Sequence, residues 1–464
     1  MNVSATDLTA AAGEIVSKNN LVFFREHYVQ VTGPLPDAGG SNRPLGTGWY
    51  PDALIPFVDP DTGSPPTGGT LAAAPFSVQA GRNQPIWVDV FVPPAAHAGQ
   101  YTGSFTVASD QGSTTGQVVL TVWNFTLPLT PTLKSAFNAM QAPPSAAART
   151  LLRNKVSPLN IPGEDASNLA KNFGLGATNL GLWSGADGST CEMSPAPAVS
   201  EVQAMASKYP HGLYLFNFTA DEIDRCTGHY PVIREWGSAL HAAGVRNLIT
   251  MLPVPELFDD GTGKGRSAVD IWAVLPKAYD LATDRIMQAL AKGDEVWSYN
   301  ALVQDPYSPK WGIEFAPIDL RIQPGFISQS LGLTGLLGWS VDTWTSDPWT
   351  NVNNAGKFGQ ANYPGEGMFV YPGSTVGIVG VAPSMRLKWI RDGVEDYEYV
   401  ALLKKAGRGE WALQIARRVG QDWKSWTRDP KALEAARRQL GEMLDRLAPG
   451  GSSGGTSVDH PQRP

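Results

Sequence analysis

The stretch Gly212-Leu-Tyr-Leu-Phe-Asn-Phe-Thr-Ala-Asp-Glu222 decides the fold. As far as Thr219 it reads as a buried strand, rich in aromatic and large apolar side chains. It runs into two adjacent carboxylates, Asp221 and Glu222. In a parallel barrel the C-terminal end of a strand opens onto the face that carries the chemistry. Two neighbouring carboxylates there can hold different protonation states, which acid-assisted cleavage of an acetal requires. Taken alone, the pair reads first as a helix start, with Asp221 capping and Glu222 meeting the helix dipole.

Working outward, strand-like and helix-like runs alternate from residue 134. The candidate strands are Lys134–Met140, Thr178–Trp183, Leu213–Phe218, Asn247–Leu252, Glu295–Leu302, Leu336–Val341 and Met368–Tyr371. An eighth is placed near Ile318–Ile322 or Leu159–Ile161. Helical patterns lie between them at Ser200–Lys208, Val232–Ala243 and Ile271–Ala291, and the chain from Ser384 onward is helical. Such alternation predicts a parallel sheet with crossover helices, and a (β/α)8 TIM-type barrel is its natural closure.

Before Pro128 and Pro131 the pattern is all-β. Strand-like runs at Leu21–Phe24, Tyr28–Val31, Phe76–Val78, Pro85–Val92, Gly103–Val107 and Gly116–Val122 recur between turn signals. The last three alternate as half-buried strands do, and Ser109-Asp-Gln-Gly112 reads as a hairpin turn. The chain is therefore expected to be multidomain, β followed by α/β. A β-sandwich spans 1–130, the barrel with its C-terminal helices spans 131–449, and a Gly/Ser-rich flexible tail spans 450–464.

The chain has 464 residues, and its formal net charge of −7 argues against non-specific nucleic-acid binding, which needs a basic surface. Fifteen Trp leave some free to stack on the apolar faces of sugar rings after the core is filled. Two cysteines, Cys191 and Cys226, have no metal-ligand spacing around them, and no pair of the six His stands at ligand spacing, so no metal and no cofactor is expected. No apolar run is long enough to span a membrane.

The C-terminal half carries a specific series of motifs. Gly338-Trp-Ser-Val-Asp-Thr-Trp-Thr-Ser-Asp-Pro-Trp349 is followed by Gly365-Glu-Gly-Met-Phe-Val-Tyr-Pro-Gly373. Then comes Pro383-Ser-Met-Arg-Leu-Lys-Trp-Ile-Arg-Asp-Gly-Val-Glu-Asp-Tyr-Glu-Tyr-Val-Ala-Leu-Leu403. This series resembles the catalytic domain of glycoside hydrolase family 123 and its uncharacterised bacterial relatives. Tyr50–Pro56, Pro85–Pro93 and Ala98–Gly103 are similar to the β-sandwich that precedes those barrels. The resemblance implies that Asp221 and Glu222 are the catalytic pair of a retaining, substrate-assisted β-N-acetylgalactosaminidase. Asp221 would orient the 2-acetamido group of the sugar as its oxygen attacks the anomeric carbon. Glu222 would protonate the leaving oxygen and later activate water.

Residues near predicted strand ends are candidates for the sugar subsite: Trp183, Trp297, Tyr299, Trp339 and Trp344 for stacking, Asp342 and Glu366 for hydroxyl contacts or, in a two-carboxylate mechanism, one of them as nucleophile. Arg321 either reaches into the pocket or forms an ordinary ion pair. Each aromatic residue is as readily explained by core packing. Arg391 and Glu395 of the helix motif suit an i, i+4 pair. A disulfide between Cys191 and Cys226 would brace the loop that bears the acid. The sequons at Asn124 and Asn217 lie in apolar strand-like runs, unsuited to glycosylation. The expected partner is an oligosaccharide or glycoconjugate substrate. The alternatives are a glycosidase of other specificity using two carboxylates, and a non-catalytic carbohydrate-binding protein. A secreted or cell-surface location with the signal peptide removed is expected, with an intracellular one as the alternative.

Overall fold

Seven strands, Lys134–Phe137, Ala177–Asn179, Tyr214–Ala220, Arg246–Thr250, Ile271–Val274, Glu295–Tyr299 and Gly335–Gly338, form one parallel sheet in the computed structural model. The structure describes residues 1–448, so the expected flexible tail at 450–464 lies outside the described residues. The sheet curls into a nearly closed barrel. Lys134–Phe137 and Ala177–Asn179 are its edges, and Pro158–Leu159 runs between them. The Leu159 N–H donates to the Phe137 carbonyl at 2.8 Å, and the Leu159 carbonyl accepts from the Asn179 N–H at 2.9 Å. The Ser157 carbonyl also accepts from the Phe137 N–H at 2.9 Å, and Pro158, which has no N–H to give, sits at an isolated bridge and not in a full strand.

The barrel is therefore seven-stranded where the pattern predicted eight. Ile318–Ile322, one proposed position for the missing strand, belongs to the helix Pro317–Ile322. Met368–Tyr371 is not a barrel strand either, because Val370–Pro372 pairs antiparallel with Val381–Pro383 outside the ring. The barrel strand that the pattern missed is Ile271–Val274, read as the start of a helix over Ile271–Ala291. All four of its residues are buried, so it shows no alternation, and Pro276 opens the helix that follows.

Inside the ring, Phe216, Leu248, Ile271, Ala273, Trp297 and Leu337 pack together. Trp297 stands edge-on to Phe216 at 5.4 Å. Its indole fills space that only a glycine leaves free, since a Cβ on Gly335 would lie 2.3 Å from the ring. The outer helices cover the strands in a second apolar layer around Trp272, Phe326 and Trp423.

The N-terminal part is two antiparallel sheets. One joins Asn2–Ala5, Leu8–Ala10, Ile15–Val16, Gly99–Ser109 and Gly112–Val122, with the expected hairpin pairing Ser109 to Gly112. The other joins Gly48–Pro56, Leu21–Val31 and Ile86–Val90. The run Phe76–Val78 forms no strand. The core between the two sheets is small, built on Leu8, Val16, Leu21 and Tyr101. The three-stranded sheet buries Val29, Val31, Ala53 and Ile55 against Trp349, Tyr371 and Ile378 of the barrel's loops.

The helix Met385–Lys405, which carries most of the last motif segment, clamps these parts together. Ser384 caps it, its hydroxyl accepting from the Leu387 N–H at 3.1 Å. The buried Arg386 guanidinium grips Asp52 of the N-terminal sheet with two hydrogen bonds, of 2.8 and 3.0 Å. It also donates to the carbonyls of Trp311, Gly365 and Met368. Lys388 and Arg391 meet Asp89 at 2.6 and 2.9 Å. Arg391 thus reaches across to the sheet, and Glu395 pairs instead with Arg437 at 2.7 Å, so the i, i+4 bond between Arg391 and Glu395 does not form. The connection between Leu21–Val31 and Gly48–Pro56 lies on the barrel's loops. The Leu35 N–H donates to Glu314 at 2.7 Å, and Asn42 donates to the Ser308 carbonyl at 2.9 Å.

Removing one partner of a buried, hydrogen-bonded ion pair leaves a desolvated charge. Asp52→Ala is expected to cost about 3–5 kcal/mol of stability. Urea unfolding of the variant against wild type measures it, and a loss under about 1 kcal/mol, the range of exposed pairs, would show that the clamp is not a desolvated pair.

Candidate active site

The carboxylate pair sits where the strand Tyr214–Ala220 loses its ladder. Its register with Arg246–Thr250 shifts between Phe218 and Ala220. Buried polar groups hold the strand up to that point. Asn217 exchanges two hydrogen bonds with the Leu182 backbone, at 2.9 and 2.8 Å, and Thr219 donates to Asn247 at 2.6 Å. Asn217 is fully buried, in keeping with its reading as an unusable sequon.

Beyond the shift, Glu222 takes φ 51°, a left-handed conformation that costs a side chain with a Cβ about 1–2 kcal/mol. Thr250, the last residue of the next strand, holds it there. The Thr250 hydroxyl accepts from the Glu222 N–H at 2.6 Å and donates to Asp221 Oδ1 at 2.5 Å. The Asp221 N–H donates to the Ala186 carbonyl at 3.1 Å. Asp224, the third carboxylate of this loop, accepts from the Leu252 N–H at 2.8 Å. The turn also aims Glu222 across the mouth of the barrel, where Tyr299, at the end of Glu295–Tyr299, donates to its Oε1 at 2.8 Å.

A second loop covers the pair. Asp187 pairs in parallel with Asp221, and its carboxylate accepts from the N–H groups of Ser189 and Thr190. Gly188 lies so close that a Cβ there would stand 2.8 Å from the Glu222 carbonyl. The expected disulfide is present, joining Cys191 to Cys226 with their Cα atoms 5.5 Å apart. Arg225 adds a bond to the Ser189 carbonyl at 2.8 Å.

Burial raises the Asp221 carboxyl above the ordinary aspartate range, and the charges of Glu222 and Asp187 push it further, against the pull of the Thr250 hydroxyl. Burial and the nearby carboxylates push the Tyr299 hydroxyl far above its usual range, so it stays a protonated donor. Among the described residues no cluster of His, Cys, Asp and Glu could hold a metal ion.

Other residues expected at the sugar subsite divide into two groups. Trp183 is 49 % exposed and stands edge-on to Phe218 at 5.9 Å, beside the covering loop. Trp339 follows the strand Gly335–Gly338 half-buried, its N–H bonded to Glu366 at 2.9 Å. Burial raises the Glu366 carboxyl. The remaining four are corrections. Trp297 is core inside the ring. Arg321 is buried in an ion pair with Asp396 at 2.6 Å. Asp342 is fully buried and accepts three backbone N–H groups, from Met140, Gln141 and Ala142. The Trp344 N–H bonds the Val370 carbonyl at 2.8 Å, and its ring packs between two apolar clusters. Proximity to a strand end does not tell whether a side chain points up into the mouth or down into the packing.

Sequence reasoning missed Thr250, whose signal is a lone hydroxyl inside the strand-like run Asn247-Leu-Ile-Thr-Met-Leu252. A cleft of about 280 Å³ between Arg246, Arg266, Lys292, Asp270 and Glu295 lies at the opposite end of the barrel.

Residues 281–403 match the catalytic domain of glycoside hydrolase 123. The matched segment includes Tyr299, Trp339, Glu366 and the clamp helix up to Leu403, and the carboxylate pair precedes it. Among solved structures, a family 123 glycoside hydrolase from Clostridium perfringens, described for glycolipid glycan hydrolysis, aligns over 96 % of this chain and 89 % of its own, at 13 % identity and a TM-score of 0.60. A β-glucuronidase from Parabacteroides merdae aligns over 86 % of this chain and 51 % of its own, at 9 % identity and a TM-score of 0.33, too low to carry an argument. No curated protein matches the sequence.

The electrostatics of the pair are open to measurement. The Asp221 carboxyl is expected to titrate above the ordinary aspartate range in a carbon-detected NMR titration. Thr250→Val removes the bond that holds it down and moves the midpoint up, whereas Asp187→Asn removes a neighbouring anion and moves it down. An unmoved midpoint in both variants would overturn this account.

Proposed function

We propose that this glycoside hydrolase is a retaining enzyme that releases a terminal β-linked N-acetylhexosamine, N-acetylgalactosamine above all, by substrate assistance. The observation that carries the reading is the arrangement of Asp221 and Glu222. They are adjacent in sequence, both anchored by Thr250, and placed at the catalytic end of a barrel strand. In this mechanism the acetamido oxygen of the substrate bonds to the anomeric carbon as Glu222 gives its proton to the departing oxygen. Asp221, ionised, accepts from the acetamido N–H and stabilises the positive oxazolinium. Its half-buried position strengthens that interaction, because charges attract more strongly where water is excluded. Water then opens the oxazolinium with Glu222 as base, and configuration is retained.

A two-carboxylate mechanism on the same scaffold needs a free nucleophile. Asp342 is taken up by three backbone donors, and Glu366 is buried against Trp339. Neither is supplied as that nucleophile, which favours assistance by the substrate. The structural relative's glycolipid glycans make a glycoconjugate the natural substrate class to try first. The bonded Cys191–Cys226 pair suits an oxidising compartment, and we place the enzyme outside the cytosol.

Nitrophenyl N-acetyl-β-galactosaminide and nitrophenyl β-galactoside differ only in the group that the mechanism uses. Turnover of the first and none of the second is expected, with Asp221→Asn lowering kcat by about 10²–10³-fold. Cleavage of the plain galactoside alone would sink substrate assistance.

A further inference from the structure

We propose that Tyr299 is a positioning residue that decides which oxygen of Glu222 carries the catalytic proton. The inference rests on the reading of Glu222 as the general acid. A neutral carboxyl group has one hydroxyl oxygen and one acceptor oxygen. Tyr299 donates to Oε1 at 2.8 Å, so Oε1 is the acceptor and the proton resides on Oε2. Oε2 has no hydrogen bond from any described residue, and Glu222 is exposed, so that oxygen is free to meet a substrate.

The geometry gives Tyr299 little freedom to do anything else. It ends the strand Glu295–Tyr299 and is 6 % exposed. Its hydroxyl donates to Glu222, and the negative charges of Asp221 and Asp224 nearby disfavour loss of its proton. Glu222 itself is on a loop, exposed and in a left-handed conformation. Apart from Tyr299, no side chain of the described residues holds its carboxyl group.

When the glycosidic bond breaks, its electron pair stays with the leaving oxygen. The Oε2 proton moves to that oxygen, and the acetamido oxygen forms the new bond to the anomeric carbon. The Tyr299 proton stays where it is, and its bond to Oε1 shortens as Glu222 becomes an anion. The contribution of Tyr299 therefore grows with the need for protonation, that is, with the basicity of the leaving group.

The test is Tyr299→Phe, which keeps the ring, assayed on N-acetyl-β-galactosaminides with dinitrophenol, methylumbelliferone and methanol as leaving groups. The expected result is a loss of kcat/KM within about 3-fold for dinitrophenol, which departs unprotonated, rising to about 10²-fold for methanol, with KM unchanged. An equal loss on all three would overturn the proposal. Incorporating 3-fluorotyrosine at 299 restores the donor and is expected to recover the methanol glycoside, and failure to do so would also overturn it. Glu222→Gln on the same series separates the two ideas. If Glu222→Gln shows no leaving-group dependence, the assignment of the acid fails. If Glu222→Gln shows it and Tyr299→Phe does not, only the role of Tyr299 fails.

Discussion

One buried guanidinium ties the molecule together. Arg386 leaves no polar atom idle, with Asp52 on one side and the carbonyls of Trp311, Gly365 and Met368 on the other. Those carbonyls belong to the loops after the strands Glu295–Tyr299 and Gly335–Gly338, so one charge organises the catalytic end of the barrel and fixes the N-terminal sheet to it. Tyr371 completes the arrangement by donating to Asp52 at 2.5 Å. A charge so far from water persists only when every donor is satisfied, which explains why three separate segments converge on it.

Much of this fold was legible in the sequence, and the parts that were not share a cause. Six of the seven barrel strands lie where apolar runs with turn signals placed them. Ile271–Val274 was hidden because strands buried on both faces lose their alternation and resemble the start of a helix. The clamp was half legible. The motif marked the helix, but the partners of Arg386, Lys388 and Arg391 lie about 300 residues away in the chain. Local spacing instead suggested Arg391 with Glu395, a pairing that tertiary contacts override.

The candidate site divides in the same way. Asp221 and Glu222 stood out through the strand that ends at them and the family resemblance, and the Cys191–Cys226 bond through being the chain's two cysteines. Trp297, Asp342 and Trp344 were nominated for nearness to strand ends, and the structure gives them to packing and loop anchoring, while Arg321 takes the ion pair that was the second of its two readings. Direction, not position, separates the two groups, and direction depends on contacts such as the close approach of Trp297 to Gly335. Thr250 escaped for the opposite reason, being an ordinary residue given importance only by its two short bonds to the pair.

The strap from residue 32 to 47 has a consequence for how such a chain can evolve. It belongs to the N-terminal sheet but rests on Glu314 and Ser308, in a loop at the barrel's catalytic end. The Pro128–Pro131 link looks like a seam at which a gene could be cut and its halves shuffled. A recombinant that took the barrel alone would inherit a catalytic rim with one wall missing and a cation stripped of its anion. The two parts thus share one rim and one buried ion pair, and exchanging a rim residue in place disturbs fewer of these contacts than exchanging a whole module.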